Sequence, residues 1–380
     1  MPVPVPTPRG LWYTYRLWSD LFKGTWPEVQ KRIQFYLSKY FYKDDLLKAF
    51  LFDRDFAELH KNRFIDYARY LNYYASDIKE TTLKMGEASK RARLPYQEVI
   101  NFVEKPNVKI DVVGNITEYV MSQELVNRTD GNLRAFLVEK PKTADDPVLR
   151  LASLFESGGA EYKCRLERST YFFQARTNLT LDYPLDNQDT LRTVDLGPSN
   201  NLRSLEDSIL LNSIGVSAVV YFDRNGELYF FMKYRRPDEG IFGRMFGTTS
   251  GVVTLSRGQP ITSLVDYACT EMKREFYRET GLDEDRNRIK RIVPLSFTRE
   301  LMRGGKPQFF FLIQIDEISE SEFGRKFQTS AEGLHEFHDN IIDNNRYSAV
   351  LSPEFATNLI YAFQFFQAEK RLATDPILLN

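Results

Sequence analysis

Three carboxylates, Glu271, Glu275 and Glu279, follow one another at i, i+4 and i+8. On a helix that spacing sets them in one row, and like charges so placed cost about 0.2–0.5 kcal/mol per pair. A chain that keeps such a row beside its core needs something to offset the repulsion. Oxygen ligands of this kind suit magnesium, manganese and calcium. A second group of candidates is basic. Arg299, Arg303 and Lys306 surround the pair Gly304-Gly305, and Arg235 and Arg236 end an apolar run. They could hold a phosphate or a second carboxylate, or form an ordinary solvated turn. Other chemistries are excluded by spacing. His335 and His338 stand at i, i+3, where a zinc pair on a helix needs i, i+4. His60 stands alone, so three histidines give no Ser-His-Asp set. Gly304-Gly305 is not followed by Gly-Lys-Ser/Thr and is no P-loop.

The acidic row needs a helix, and residues Ser263 to Thr280 read as one. Val265, Ala268, Cys269, Met272 and Phe276 fall on one face at about 100° per residue. Gly281 stands where a C-cap belongs. The glutamates flank that apolar face. Arg278 lies about 140° from its centre, which would aim it away. Around this helix the sequence predicts strands: Gly215–Phe222 and Leu228–Tyr234 across the turn Asp223–Gly226, then Thr248–Leu255, Ile289–Phe297 and Gln308–Ile315. Ser352-Pro353-Glu354 starts a closing helix that reaches about Glu369.

The run Arg274-Glu275-Phe276-Tyr277-Arg278-Glu279-Thr280-Gly281-Leu282 resembles the end of the Nudix hydrolase signature, Arg-Glu-aliphatic-any-Glu-Glu-any-Gly-aliphatic. Phe276 stands for the aliphatic residue and Arg278 for the first glutamate of the pair. Asp266 stands for an upstream glutamate, and Pro260 falls where the family has glycine unless Gly251 or Gly258 serves. The resemblance covers about residues 210–371. It implies hydrolysis of a pyrophosphate bond in a nucleoside diphosphate linked to another group, such as a nucleotide sugar, ADP-ribose or a dinucleotide, with Mg2+ or Mn2+. It implies metal ligands Glu275 and Glu279, with Glu271 standing in for the lost carboxylate and the Gly251 carbonyl as a further ligand. Glu275 would be the base and Arg274 the group that orients a carboxylate. Arg299, Arg303, Lys306 and Arg235 would be the substrate-binding cations.

The fold class expected is α+β: a C-terminal Nudix-like α/β/α sandwich with a mixed sheet, preceded by a mainly helical N-terminal region. The 380 residues are divided into a tail (1–9), a helical domain (10–160), a β-rich connection (161–209) and the Nudix-like domain (210–380). Within the helical part, residues 86–105 resemble a helix-turn-helix, with Lys90, Arg91 and Arg93 as phosphate contacts. Asp145-Asp146-Pro147 reads as the capped start of a helix running to Phe155. Tyr171–Phe173 and Thr177–Leu181 read as β-rich, and 185–201 as loop. A net charge of −1 gives the whole chain no bias toward nucleic acid or anionic membrane. Two cysteines, Cys164 and Cys269, make no disulfide framework, so a reducing, cytoplasmic setting is expected. The proline-rich start has no apolar segment of a secretory signal. Expected partners are a nucleotide-type substrate, DNA or RNA through the N-terminal region, no membrane, and further copies of the chain. A nucleotide-sensing regulator and a scaffold with a weakly active fold stay open beside the enzyme.

Overall fold

The computed structural model describes residues 40–42, 63–66, 73–74, 77, 79–85, 88–185, 189–196, 201–224, 227–231, 233–234, 246–247, 249–255, 260–282, 288–317, 352–369 and 378–379. The strands are β1 (Tyr40–Tyr42), β2 (Lys79–Met85), β3 (Ala88–Leu94), β4 (Tyr96–Asn101), β5 (Lys109–Val112), β6 (Thr117–Glu118), β7 (Pro147–Gly158) and β8 (Glu161–Thr170). They continue with β9 (Gly215–Arg224), β10 (Glu227–Phe231), β11 (Lys233–Tyr234), β12 (Phe246–Gly247), β13 (Thr249–Val252), β14 (Ile289–Glu300), β15 (Lys306–Ile315) and β16 (Leu378–Leu379). The helices are α1 (Gln123–Arg128), α2 (Asp130–Glu139), α3 (Tyr171–Arg176), α4 (Leu191–Leu196), α5 (Leu264–Thr280) and α6 (Pro353–Ala368).

The protein is mixed α+β, with two larger sheets. The main sheet runs β1-β10-β9-β15-β14-β4, with β13 beside β9. Its centre is β15, which lies parallel to β9 and antiparallel to β14. Successive side chains on a strand point to opposite faces. Phe309, Phe311, Ile313 and Ile315 therefore enter one core, while Phe310 and Leu312 enter another. A strand apolar on both faces needs cover on both. Helix α5 covers the first face with Ala268, Met272 and Phe276. Helix α6 covers the second with Phe355, Leu359, Ala362 and Phe366, spaced along one helical stripe. Each large apolar side chain so buried contributes about 1.5–3 kcal/mol. The second sheet, built on the β7–β8 hairpin with β5 and β6, sends Ile110, Leu149, Leu151, Cys164 and Leu166 into the α5 core.

Several expectations are corrected. Residues 88–101 form two strands and not a helix-turn-helix, so Lys90, Arg91 and Arg93 lie on β3. Pro95 explains this: the residue before a proline is pushed out of the helical region, so Leu94 stays extended. Residues 147–158 are strand, not helix, because β7 pairs with β8 along its length. Asp145 and Asp146 do serve a helix start, but that of α3. Asp145 Oδ1 accepts from the Phe172 amide at 2.7 Å, and the Asp146 carbonyl accepts from that of Tyr171 at 2.8 Å. Tyr171–Phe173 are accordingly helical, and 191–196 form α4 where loop was expected. Among the described residues the N-terminal half is richer in strand than in helix. It also gives β1 and β4 to the main sheet. Apart from β1, the helical periodicities of residues 10–62 lie outside the described residues. Among the described residues, no helix is long and apolar enough to cross a membrane.

Candidate functional site: the acidic helix and the basic turn

Helix α5 starts and stops where its sequence signals it. Ser263 Oγ accepts from the Asp266 amide at 3.3 Å, and Asp266 itself lies exposed in the first turn. Gly281 takes φ 68°, open to glycine without steric cost, and its amide donates to the Tyr277 carbonyl at 3.0 Å. The glutamate row is more deeply placed than its flank position implies. Glu271, Glu275 and Glu279 are only 2%, 3% and 3% exposed, whereas Val265 and Cys269 are half-buried. A buried carboxylate must be hydrogen-bonded and paired.

The partners form a ladder. Glu271 Oε2 accepts from the Thr254 amide (3.0 Å), Thr254 Oγ1 (2.9 Å) and Arg274 Nη2 (2.9 Å). The same Arg274 nitrogen donates to Glu275 Oε1 at 2.9 Å. Arg278 turns back along the helix and donates from Nε (3.0 Å) and Nη2 (2.5 Å) to Glu275 Oε2. This corrects the expectation that Arg278 points away. Its reach of three residues brings the guanidinium onto the row. The Ser250 amide on β13 lies 3.5 Å from Glu279 Oε1. Gly251 lies directly over Glu275: a Cβ there would stand 2.5 Å from Glu275 Cγ. Only a glycine lets β13 come so near the acidic row.

The basic candidates lie elsewhere and are turned inward. Arg303 donates from Nε to Glu300 Oε1 at 2.7 Å and from Nη2 to Glu300 Oε2, a two-point pair. Burial alone would lower its affinity for protons, but Glu300 raises it above the usual arginine value. Lys306 is 1% exposed, and its Nζ donates to Gln308 Oε1 at 3.2 Å. Burial, with Arg303 adding to it, pushes the Lys306 ammonium down to about 7. Arg299 donates to the carbonyls of Gly305 (3.1 Å) and Arg203 (2.6 Å), and its Nη2 has no partner among the described residues. Burial brings it down to about 10. Arg235 and Arg236 lie outside the described residues, as do His60, His335 and His338.

Sequence reading missed the residue that ties this turn to the N-terminal half. Arg192 is fully buried and forks onto Asp182 at 2.7 Å through both Nε and Nη2. It also donates to the carbonyls of Leu301 (3.1 Å) and Met302 (2.8 Å). Asn178 Nδ2 donates to the Arg303 carbonyl at 2.8 Å. The available signal was the amphipathic spacing of Leu191, Asp195 and Leu196, hidden in a stretch read as loop. Thr254, which holds Glu271, had no signal in its spacing. Burial pushes the Cys164 and Cys269 thiols up to about 12, which disfavours the reactive thiolate.

The chain matches no protein-family model and no curated protein. Carboxylates beside a strand carbonyl are the right donor type for magnesium or manganese. Both oxygens of Glu275, however, are already engaged by guanidinium groups, and Oε2 of Glu271 by three donors. Among the described residues no three His, Cys, Asp or Glu side chains are gathered so as to hold a metal ion. The donor set does not fit a divalent ion as it stands.

Proposed function

We propose that residues 210–380, with β4 completing the sheet, form a Nudix-like α/β/α sandwich that binds a nucleotide-type ligand without metal-driven hydrolysis. The observation that carries this reading is the double guanidinium contact on Glu275. A carboxylate held by two cations is a poor base and a poor metal ligand, because its lone pairs are directed into N–H groups. The family resemblance is supported by the order of elements: a glycine-bearing strand, then the acidic helix on one face, then a closing helix on the other. About half of the Arg274 and Arg278 side chains remain in solvent, 47% and 48%. Guanidinium N–H groups on that outer side suit the phosphates of a nucleotide. The helix-turn-helix that would have made the protein a DNA-binding regulator is replaced by strands, so the regulator reading rests on ligand binding alone.

A competing reading is hydrolysis of a pyrophosphate bond with Mg2+ or Mn2+, favoured by the burial of three carboxylates side by side next to Gly251. One assay separates the two. Titration calorimetry with ADP-ribose in EDTA is expected to show binding, and product release with Mn2+ is expected to be absent. Manganese-dependent turnover that disappears in Glu279→Gln would overturn the binding reading in favour of the enzyme.

A further inference from the structure

The row on α5 has a consequence for cations that rests on the binding reading and deepens it. Glu271, Arg274, Glu275 and Arg278 alternate in charge along one helix, and each contact passes to the next. Arg274 spans Glu271 and Glu275 through one nitrogen, and Arg278 closes the chain on the remaining oxygen of Glu275. The carboxylates are buried while the guanidinium groups stand half in water, so the cations come from outside the core and neutralise it from its rim. A row of like charges at this spacing is unfavourable unless it is compensated. A free ion competing for Glu275 must displace a guanidinium tethered three residues away, and tethering gives that group a high effective concentration.

We infer that Arg278 is the standing counter-ion of Glu275 and makes this face of the molecule independent of divalent cations. The arginine does the charge compensation that a metal would otherwise supply. It is a positioning residue: it fixes Glu275 under Gly251 and so holds β13 against α5.

The test uses the full chain, with Mn2+ as the probe, followed by electron paramagnetic resonance and by thermal unfolding. The natural protein is expected to leave the free Mn2+ signal unchanged at millimolar concentration and to melt at the same temperature in EDTA and in Mg2+. Arg278→Gln should melt lower by about 3–6 °C and recover part of that loss when Mn2+ is added. Arg278→Lys should lie between, because an ammonium keeps the charge but not the two-point contact. Uptake of one Mn2+ per chain by the natural protein overturns the inference, and so does an Arg278→Gln variant that melts like it. Failure of ADP-ribose to bind in EDTA, with the manganese results as expected, would remove the ligand reading and leave the role of Arg278 standing.

Discussion

Two of the places where the described residues bury charge differ in which partner is hidden. On α5 the carboxylates are inside, and the arginines that answer them are half in water. Around the β14–β15 turn both signs are inside: Arg192 and Asp182 are 0% and 3% exposed, and Glu300 is fully buried under Arg303. A guanidinium at the rim stays within reach of what arrives from solvent. Arg192, wholly enclosed, gives its donors to backbone carbonyls and to its own carboxylate. At the basic turn Arg303 and Lys306 are thus turned inward onto Glu300 and Gln308, whereas the arginines of the acidic helix reach the surface.

The sharpest way to break this contrast is Arg192→Leu. It strands a buried Asp182 and frees two carbonyls of the turn, and it should cost about 3–5 kcal/mol in urea unfolding. A loss no larger than that of a surface substitution would put the turn on the same footing as α5. Next in size is Lys306→Met. The Lys306 ammonium is lowered from its ordinary 10.5 to about 7 by burial. The folded chain therefore sheds this proton while the unfolded chain still holds it. Stability should be lowest below pH 7 and rise as pH climbs through the window from 7 to 10.5. Between neutral pH and two units above it, the rise should be on the order of 2 kcal/mol, and Lys306→Met should remove it and be more stable in mild acid. An unchanged pH profile would mean that the turn is more open to water than Arg303 and Glu300 imply. The smallest effect expected is at Gly251→Ala, where the new Cβ meets Glu275. Overpacking there should cost about 1–2 kcal/mol by thermal unfolding. A silent substitution would show that Glu275 is not fixed under β13.

How far the sequence could be read depended on whether the signal was local. The caps of α5 and α6, the β9–β10 hairpin and the apolar run of β15 were legible because each is written within a few residues: Ser263, Gly281, Ser352-Pro353, Asn225-Gly226 and Phe309–Ile313. The strand β7 was misread as helix because a short aliphatic run has no decisive period, and its pairing with β8 and contacts to Ile214 and Val253 decide it. Asp145 was rightly seen as a cap but assigned to the wrong helix, since α3 begins 26 residues later. At the candidate site the glutamate row was read from spacing and Arg274 from the family resemblance. The direction of Arg278 was not, because helical phase gives where a Cα sits and not where a long side chain ends.

The parallel pairing of β9 with β15 also orders events in time. Hairpins such as β9–β10 and β14–β15 close over short loops, but residues 215–221 cannot meet 308–314 until the whole helix α5 and the loops around it have been made. Closing so long a loop is slow, and it must precede the contacts that reward it. On a chain emerging from the ribosome, β9 waits with one edge uncovered until β15 is released and takes its place between β9 and β14. The central strand of the sheet is the last of its major strands to be synthesised, so the interval before its arrival is when this protein most needs protection from its own kind.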